Sequence, residues 1–472
     1  VCSSDLLHTQ FIIMHSRSLT ALFIIVALVT VQSSLAQQTE VQQYFEWTSL
    51  PFPKEEYTQR RAKMMAELKS TDSGIFLCPS RDGLSNGETF RQLDDFNYFT
   101  GLEFPNSMLV INSYNDQIIL FAPHTDFRFE AASRKNDFPG RPLGDDPELK
   151  VKSGIIDIRP FEELDEFIKS NVDAHRKFKV NFNSLVPGEI NEIKTSYISS
   201  WSSEQALIYH LQQTFPIIQI ESAYEDVGHL RIIKSPIEIE TLRKAADITV
   251  EGIKAAVKYI KAGVDERTLE AEMEATFKRL GSPRIAFASI IKSGPNSLWP
   301  WRILASHYER RNRKMENGEL VIFDVGCEYK NYVSDIGRTF PVSGKFSDEQ
   351  KRILTMETAV SDAIIAAIKP GVTFAELKKV ADAVIPDNEK KYMQVGLFFG
   401  HHLGLSTGDP NDSHAKLAPG MVFTVEPWYY NHDKNIAVFT EDEVLVTDTG
   451  VEILSKALPR TPEALEKLMK SK

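Results

Sequence analysis

The sequence predicts a two-domain α/β protein. Its 472 residues suit two cores better than one. Strand-like and helix-like stretches alternate from about residue 40 to 232, the pattern of a layered α/β unit. A helix-start signal at Ile233-Lys234-Ser235-Pro236 then opens a second segment, 236–460, where amphipathic helices precede strands that carry acidic residues.

In the first segment Tyr57 to Leu68 reads as an amphipathic helix, and Gly74 to Cys78, Ser107 to Ile111 and Gln117 to Phe121 read as buried strands. Ser133 to Glu148 is rich in charge, Gly and Pro and is expected to be loop, and Phe161 to Asn171 is helical again. This segment is expected to have its own core. No Gly-rich nucleotide fingerprint follows any of these strands, so nothing gives the domain a cofactor role. At the boundary Ser235 is placed to cap a helix, with Pro236 supplying a fixed φ at its first position. Glu238 to Leu280 gives two helices separated by Gly263 and Asp265, and Asp348 to Ile368 a further one. Residues 461–472 form a charged tail, at most a terminal helix.

The ends and the composition exclude several classes. The thirteen residues before Met14 have neither targeting nor domain character and read as a non-native leader. Residues 14–36 read as a secretory signal: His15 and Arg17, an apolar run from Leu19 to Val31, then Ser34-Leu35-Ala36 as a cleavage site. That run has 13 residues, whereas a membrane-spanning helix needs about 20. Export with cleavage near Ala36 and no lasting membrane anchor is expected. A net charge of −11 argues against a nucleic-acid partner. The short basic run Glu309 to Lys314 reads as a solvated loop. Beyond the signal only Cys78 and Cys327 remain, one in each segment, too few for a disulfide scaffold. Cys327 follows a strand, and burial as a small hydrophobe suits it better than metal ligation.

The chemistry concentrates in the last third. Asp324 lies in Glu319-Leu320-Val321-Ile322-Phe323-Asp324-Val325-Gly326, and Asp335 follows eleven residues later. His401 lies in Gly400-His401-His402-Leu403-Gly404, Glu426 in Phe423-Thr424-Val425-Glu426-Pro427, and Glu441 in Phe439-Thr440-Glu441. Apolar, β-branched or aromatic neighbours would carry these charges inward on buried strands. Isolated buried carboxylates are costly, and metal coordination is one of the few ways to make them tolerable. Four carboxylates and one imidazole suit a pair of divalent ions such as Mn²⁺, Co²⁺ or Zn²⁺, not a thiolate-rich structural zinc.

This order of motifs resembles the pita-bread metallopeptidases, in particular the Xaa-Pro aminopeptidase and prolidase branch. The run Phe90 to Gly101 is similar to a signature of that branch's N-terminal creatinase-like domain, and Ser293-Gly294-Pro295-Asn296 with Ser306-His307-Tyr308 to its catalytic domain. The resemblance implies an exopeptidase with two divalent ions per chain, Mn²⁺ favoured, that share a hydroxide. Asp324 would bind one ion and His401 the other. Asp335 and Glu441 would bridge, and Glu426 would bind the His401 ion and take a proton from the attacking water. It also implies that His307 lies over the metals and acts in catalysis, and that the protein forms a homodimer or larger oligomer. The family spacing His-x-x-Gly fits His401 to Gly404, so the resemblance implies that His401 is the ligand. His402, one position out of register, points to the other strand face and is a pocket or packing residue. Trp299 and Trp301 either wall the substrate pocket or pack a loop.

Three positions depart from the family pattern: Leu397, Gly408 and Phe439 stand where two histidines and an arginine are usual. The ligand set itself is complete. The expected function is hydrolysis of an Xaa-Pro bond at a peptide N-terminus or in a dipeptide. The alternatives are a two-metal amide or ester hydrolase of other specificity, and a catalytically weak peptide-binding protein.

Overall fold

A computed structural model of the chain describes residues 49–82, 89–103, 105–123, 147–182, 202–298, 312–393, 400–410, 412 and 414–470. The leader and signal (1–36), Trp299, Trp301, His307 and Leu397 lie outside the described residues.

The first segment builds one six-stranded sheet. Its strands are β1 (Ile75–Pro79), β2 (Met108–Asn112), β3 (Gln117–Ala122), β4 (Asp157–Pro160), β5 (Lys177–Val180) and β6 (Gln219–Ser222), in the spatial order β4-β3-β2-β1-β5-β6. β1, β2 and β3 pair antiparallel; β4, β5 and β6 join parallel. Among the described residues its α-helices, in chain order, are α1 (Lys54–Ser70), α2 (Asp94–Thr100), α3 (Pro147–Ser153), α4 (Leu164–Asp173), α5 (Ser203–Thr214) and α6 (Tyr224–Ile232). The period-2 alternation of β1 sorts its side chains between two cores. Ile75 and Leu77 pack with Leu164, Ile168, Ile208 and Leu211 from α4 and α5. Phe76 and Cys78 face the other way, into a cluster with Tyr57, Met64 and Leu68 of α1.

That second cluster runs on without a break into the catalytic segment, including Leu242, Ala245 and Tyr332. The expectation of a self-contained N-terminal core therefore holds for one sheet face only. The linking contacts are specific. Phe52 and Tyr332 lie 5.6 Å apart between ring centres, and Arg60 pairs with Glu238 at 3.3 Å.

Of four local expectations, two need correction and two gain detail. Glu148 falls in helix α3, not in loop, because the fully buried Leu149 anchors that turn. Phe161 to Asn171 is helical as expected, opening with a 3-10 turn, Phe161–Glu163, before the α-helix starts at Leu164. Arg313 is not simply solvated, since it pairs with Glu319 at 2.6 Å and donates to Ser293 Oγ at 3.0 Å. The terminal helix Pro462–Lys470 does more than carry charge: Leu465 is fully buried and Glu466 accepts from Phe346 N–H at 3.0 Å.

The second segment opens with α7 (Pro236–Val257), whose capping box is complete. Ser235 Oγ accepts from Glu238 N–H, and Glu238 Oε2 accepts from Ser235 N–H at 2.8 Å. α8 (Glu266–Arg279), α9 (Asp348–Ala367), α10 (Phe374–Val384) and the terminal α11 (Pro462–Lys470) are its remaining α-helices among the described residues. They pack around short curved sheets. One sheet joins β12 (Ile336–Pro341), β9 (Leu320–Val325) and β8 (Ile290–Ser293), and another joins β11 (Tyr332–Val333), β10 (Cys327–Tyr329) and β7 (Arg284–Ile285). A third joins β13 (Val422–Val425), β16 (Asp442–Val446) and β17 (Val451–Ile453), beside a hairpin of β14 (Trp428–Asn431) and β15 (Ile436–Phe439). Cys327 is buried, with its Sγ against Ala245 O at 3.4 Å, as a packed thiol should be.

Candidate metal centre

Strand register brings the acidic residues together. Asp324 on β9 pairs with Gly337 on β12, and Gly337 bridges in turn to Glu441, accepting from Glu441 N–H at 3.0 Å. Asp324 and Glu441 thus flank a glycine across three neighbouring backbones. Asp335 stands two residues before Gly337, on the same side. Glu426 follows β13, and His401 is tied to that strand by Thr424: His401 N–H donates to Thr424 Oγ1 at 3.0 Å, and Thr424 N–H to His401 O at 2.9 Å. Gly400 makes this approach possible, since a Cβ there would lie 1.9 Å from Thr424 O.

His401 Nε2 lies 3.4 Å from Asp335 Oδ2 and 3.5 Å from Glu426 Oε1. One ligand atom from each of Asp335, His401 and Glu441 fits within 4.8 Å of the others. The four carboxylates are buried, while the imidazole keeps 30% of its surface in contact with solvent. Burial first, then the charges of Asp335 and Glu426, hold the Asp324 carboxyl well above its ordinary range. Glu441 is raised in the same way by burial and by Asp335, Glu426 and Asp324. Burial would lower the His401 imidazole, but its hydrogen bond to Asp335 and the charges of Glu426 and Asp335 push it up to about 9. Carboxylates packed together at this burial are relieved either by taking up protons or by bound cations.

The free lone pairs identify what would relieve them. Asp324 Oδ2, Asp335 Oδ1 and both oxygens of Glu441 are buried with no hydrogen-bond partner. His401 Nδ1 lies 3.1 Å from the carbonyl oxygen of His402, which favours a proton on Nδ1 and leaves Nε2, the nitrogen that faces the carboxylates, as the atom that would bind a cation once it gives up its proton. Oxygen donors with one imidazole fit divalent ions of the Mn²⁺, Co²⁺ or Zn²⁺ type.

His402 lies on the opposite strand face from His401. It is buried edge-on to Phe374 at 5.2 Å, with Nε2 3.2 Å from Asp412 O. Burial and then Lys234 lower it to about 4. Of its two expected roles, packing describes this position.

Three residues that sequence reasoning did not single out support the cluster. Thr424 Oγ1 donates to Glu426 Oε1 at 3.0 Å, and Trp428 Nε1 reaches Glu426 Oε2 at 3.4 Å. Glu443 accepts from the backbone N–H of Asp335. Strand periodicity offered a signal for Glu443, which shares a face with Glu441. Phe439, standing where an arginine is usual, is fully buried and stacks on Trp428. Gly408 has φ +77 and open space around its Cβ position.

Two family models match this chain: Metallopeptidase family M24 over residues 240–448, and the aminopeptidase P N-terminal domain over residues 57–180. The Xaa-Pro dipeptidase of Pyrococcus horikoshii is 30% identical over 66% of this chain and 81% of its own length. The chain belongs to metallopeptidase family M24. The Xaa-Pro aminopeptidase of Escherichia coli is 29% identical over 88% of this chain and 98% of its own. A solved aminopeptidase P from Escherichia coli superposes with a TM-score of 0.70 at 25% identity, covering 89% of this chain and 98% of that one. This M24 protein is therefore a metallopeptidase of the Xaa-Pro aminopeptidase-like group. It has an aminopeptidase P N-terminal domain followed by a pita-bread catalytic domain, and its family works with divalent metals.

Proposed function

We propose that this M24 peptidase removes the N-terminal residue from peptides with proline in second place, or splits Xaa-Pro dipeptides, using two divalent ions held by Asp324, Asp335, His401, Glu426 and Glu441. One observation carries the reading: buried carboxylate oxygens of Asp324, Asp335 and Glu441 have no hydrogen-bond partner, and ligand atoms of Asp335, His401 and Glu441 lie within 4.8 Å of one another. When bound, divalent cations polarise a scissile carbonyl and acidify water. The chain's own residues do the rest. Glu426 takes the proton, its two oxygens steadied by Thr424 and Trp428. His401 is kept in one tautomer by the carbonyl of His402. The surrounding acids favour a charged peptide amino terminus, and His307 is assigned to the transition state. Mn²⁺ is the favoured ion, with Co²⁺ or Zn²⁺ as substitutes.

The segment 14–36 supports export with cleavage near Ala36. Among the described residues no helix is long and apolar enough to cross a membrane. A homodimer or larger assembly is proposed as well, and a monomer by light scattering at micromolar concentration would end that part. A second enzymatic reading, another amide or ester as substrate, draws on the buried apolar ring of Phe439 where a cation is usual.

The test is a peptide-library digest with Mn²⁺-, Co²⁺- and Zn²⁺-loaded protein. Release of residues preceding proline is expected. Intact Xaa-Pro peptides alongside some other cleaved amide would establish the second reading. Peptide binding without any cleavage would leave a binding protein.

A further inference from the structure

Glu426 is held at both oxygens, and the two holds differ in kind. Oε1 accepts from Thr424 at 3.0 Å and lies 3.5 Å from His401 Nε2. Oε2 faces the indole N–H of Trp428 at 3.4 Å. At that separation the contact is a long hydrogen bond. Its weight comes from burial, because Trp428 is 3% exposed and its N–H can only donate.

The indole is locked by its hairpin. Trp428 pairs directly with Phe439 across β14 and β15, and the two rings stack with centres 3.5 Å apart and planes 21° from parallel. Tyr430, two residues on along the same strand face, stacks on the indole at 5.4 Å. Phe439 is itself pinned through both backbone groups: its N–H donates to Thr339 Oγ1 at 2.8 Å, and its carbonyl accepts from the same hydroxyl at 2.9 Å. The Phe439 ring fits over Gly337, where a Cβ would come within 2.1 Å of it. Gly337 is the residue that Asp324 and Glu441 flank. The aromatic stack is therefore built against the floor of the metal centre.

We propose that Trp428 is a positioning residue for Glu426. Its N–H fixes the carboxylate plane so that Oε1 stays turned toward His401, and metal affinity and turnover depend on that orientation. The inference rests on the two-metal reading above. Without the indole N–H the carboxylate would keep Thr424 and regain rotation about its last torsion, which has no sharp preference of its own. The ligand would be present but no longer aimed.

Two variants separate the N–H from the ring. Trp428→Phe keeps an aromatic ring against Phe439 and loses the donor. Benzothienylalanine in place of Trp428 keeps the indole's shape and puts sulfur where the N–H was. Mn²⁺ affinity by calorimetry, kcat and KM on an Xaa-Pro peptide, and the thermal midpoint of the chelated protein are measured for both. The Mn²⁺ dissociation constant is expected to rise about tenfold or more, with kcat falling by a similar factor. KM and the chelated midpoint should stay near wild type, which a merely structural role would not produce. If Trp428→Phe does not fold, the sulfur analogue decides alone. Wild-type Mn²⁺ affinity and kcat in the analogue overturn the proposal. A wild-type chain that binds no Mn²⁺ overturns the two-metal reading and the proposal with it.

Discussion

Lys234 shows how much a single buried charge can matter. It is 4% exposed, with Nζ donating to Asp409 O at 3.2 Å and close to Ile232 O at 3.5 Å. Burial lowers its ammonium from 10.5 to about 8, against the opposing charges of Asp409 and Glu238. Between those two values the unfolded chain binds more protons than the folded one, so this group's contribution to stability rises with pH across that window. Urea unfolding of wild type and Lys234→Met tests the sign. The free energy of wild type minus variant should climb by up to about 3 kcal/mol from neutrality to about pH 10.5. A difference independent of pH would contradict it. The site histidines are the complementary case, since one step along a strand sends His401 to the carboxylates and His402 to Phe374. The His-x-x-Gly spacing made that choice legible. Thr424 and Trp428 were not legible, because their roles depend on which carboxylate oxygen they reach. His307 rests on sequence, and His307→Ala should lower kcat by about 10²-fold or more with little change in KM. Steady-state kinetics in which only KM moved would place it in ground-state binding.

At the scale of elements, the stretch Gly400 to Asp409 is held from the other domain. Arg91 donates to Leu405 O at 2.7 Å and pairs with Glu328 at 2.5 Å. Arg231 pairs with Asp409 at 2.6 Å and with Asp95 at 2.6 Å, while Asp409 Oδ2 also accepts from Leu405 N–H at 2.7 Å. Two N-terminal arginines thus clamp the loop that carries His401. Arg231→Met would leave Asp409 and Asp95 buried beside an apolar chain, a loss of about 3 kcal/mol or more. Because the loop bears a ligand, Mn²⁺ should also bind more weakly. Urea unfolding and calorimetry on the same variant check both, and an unchanged Mn²⁺ affinity would confine the clamp to stability. Elements with strong local signals were readable in the sequence, such as the helix start at Ser235 and the buried apolar runs of β1 to β3. The short strands Asp157–Pro160 and Gln219–Ser222 were not. Each has four residues and none fully buried, so only pairing with a neighbouring strand defines them.

For the whole molecule, the boundary at Ile233 to Pro236 divides the chain more cleanly than it divides the core. Phe52, Tyr57 and Met64 share one hydrophobic cluster with Leu242, Ala245 and Tyr332. The N-terminal domain therefore acts as part of the catalytic domain's support. Alternating strand-like and helix-like stretches and the helix start at Ser235 marked two segments in the sequence, but a shared core depends on which surfaces meet and leaves no local pattern. Within that frame the central proposal is that Asp324 on β9, with Asp335, His401, Glu426 and Glu441 outside the named strands, holds two divalent ions. Equilibrium dialysis against Mn²⁺, with ion content counted for wild type and for Asp335→Ala, tests it most directly. About two ions per wild-type chain are expected, and one or none in the variant, because a bridging carboxylate serves both. Full, tight occupancy in Asp335→Ala would contradict the account.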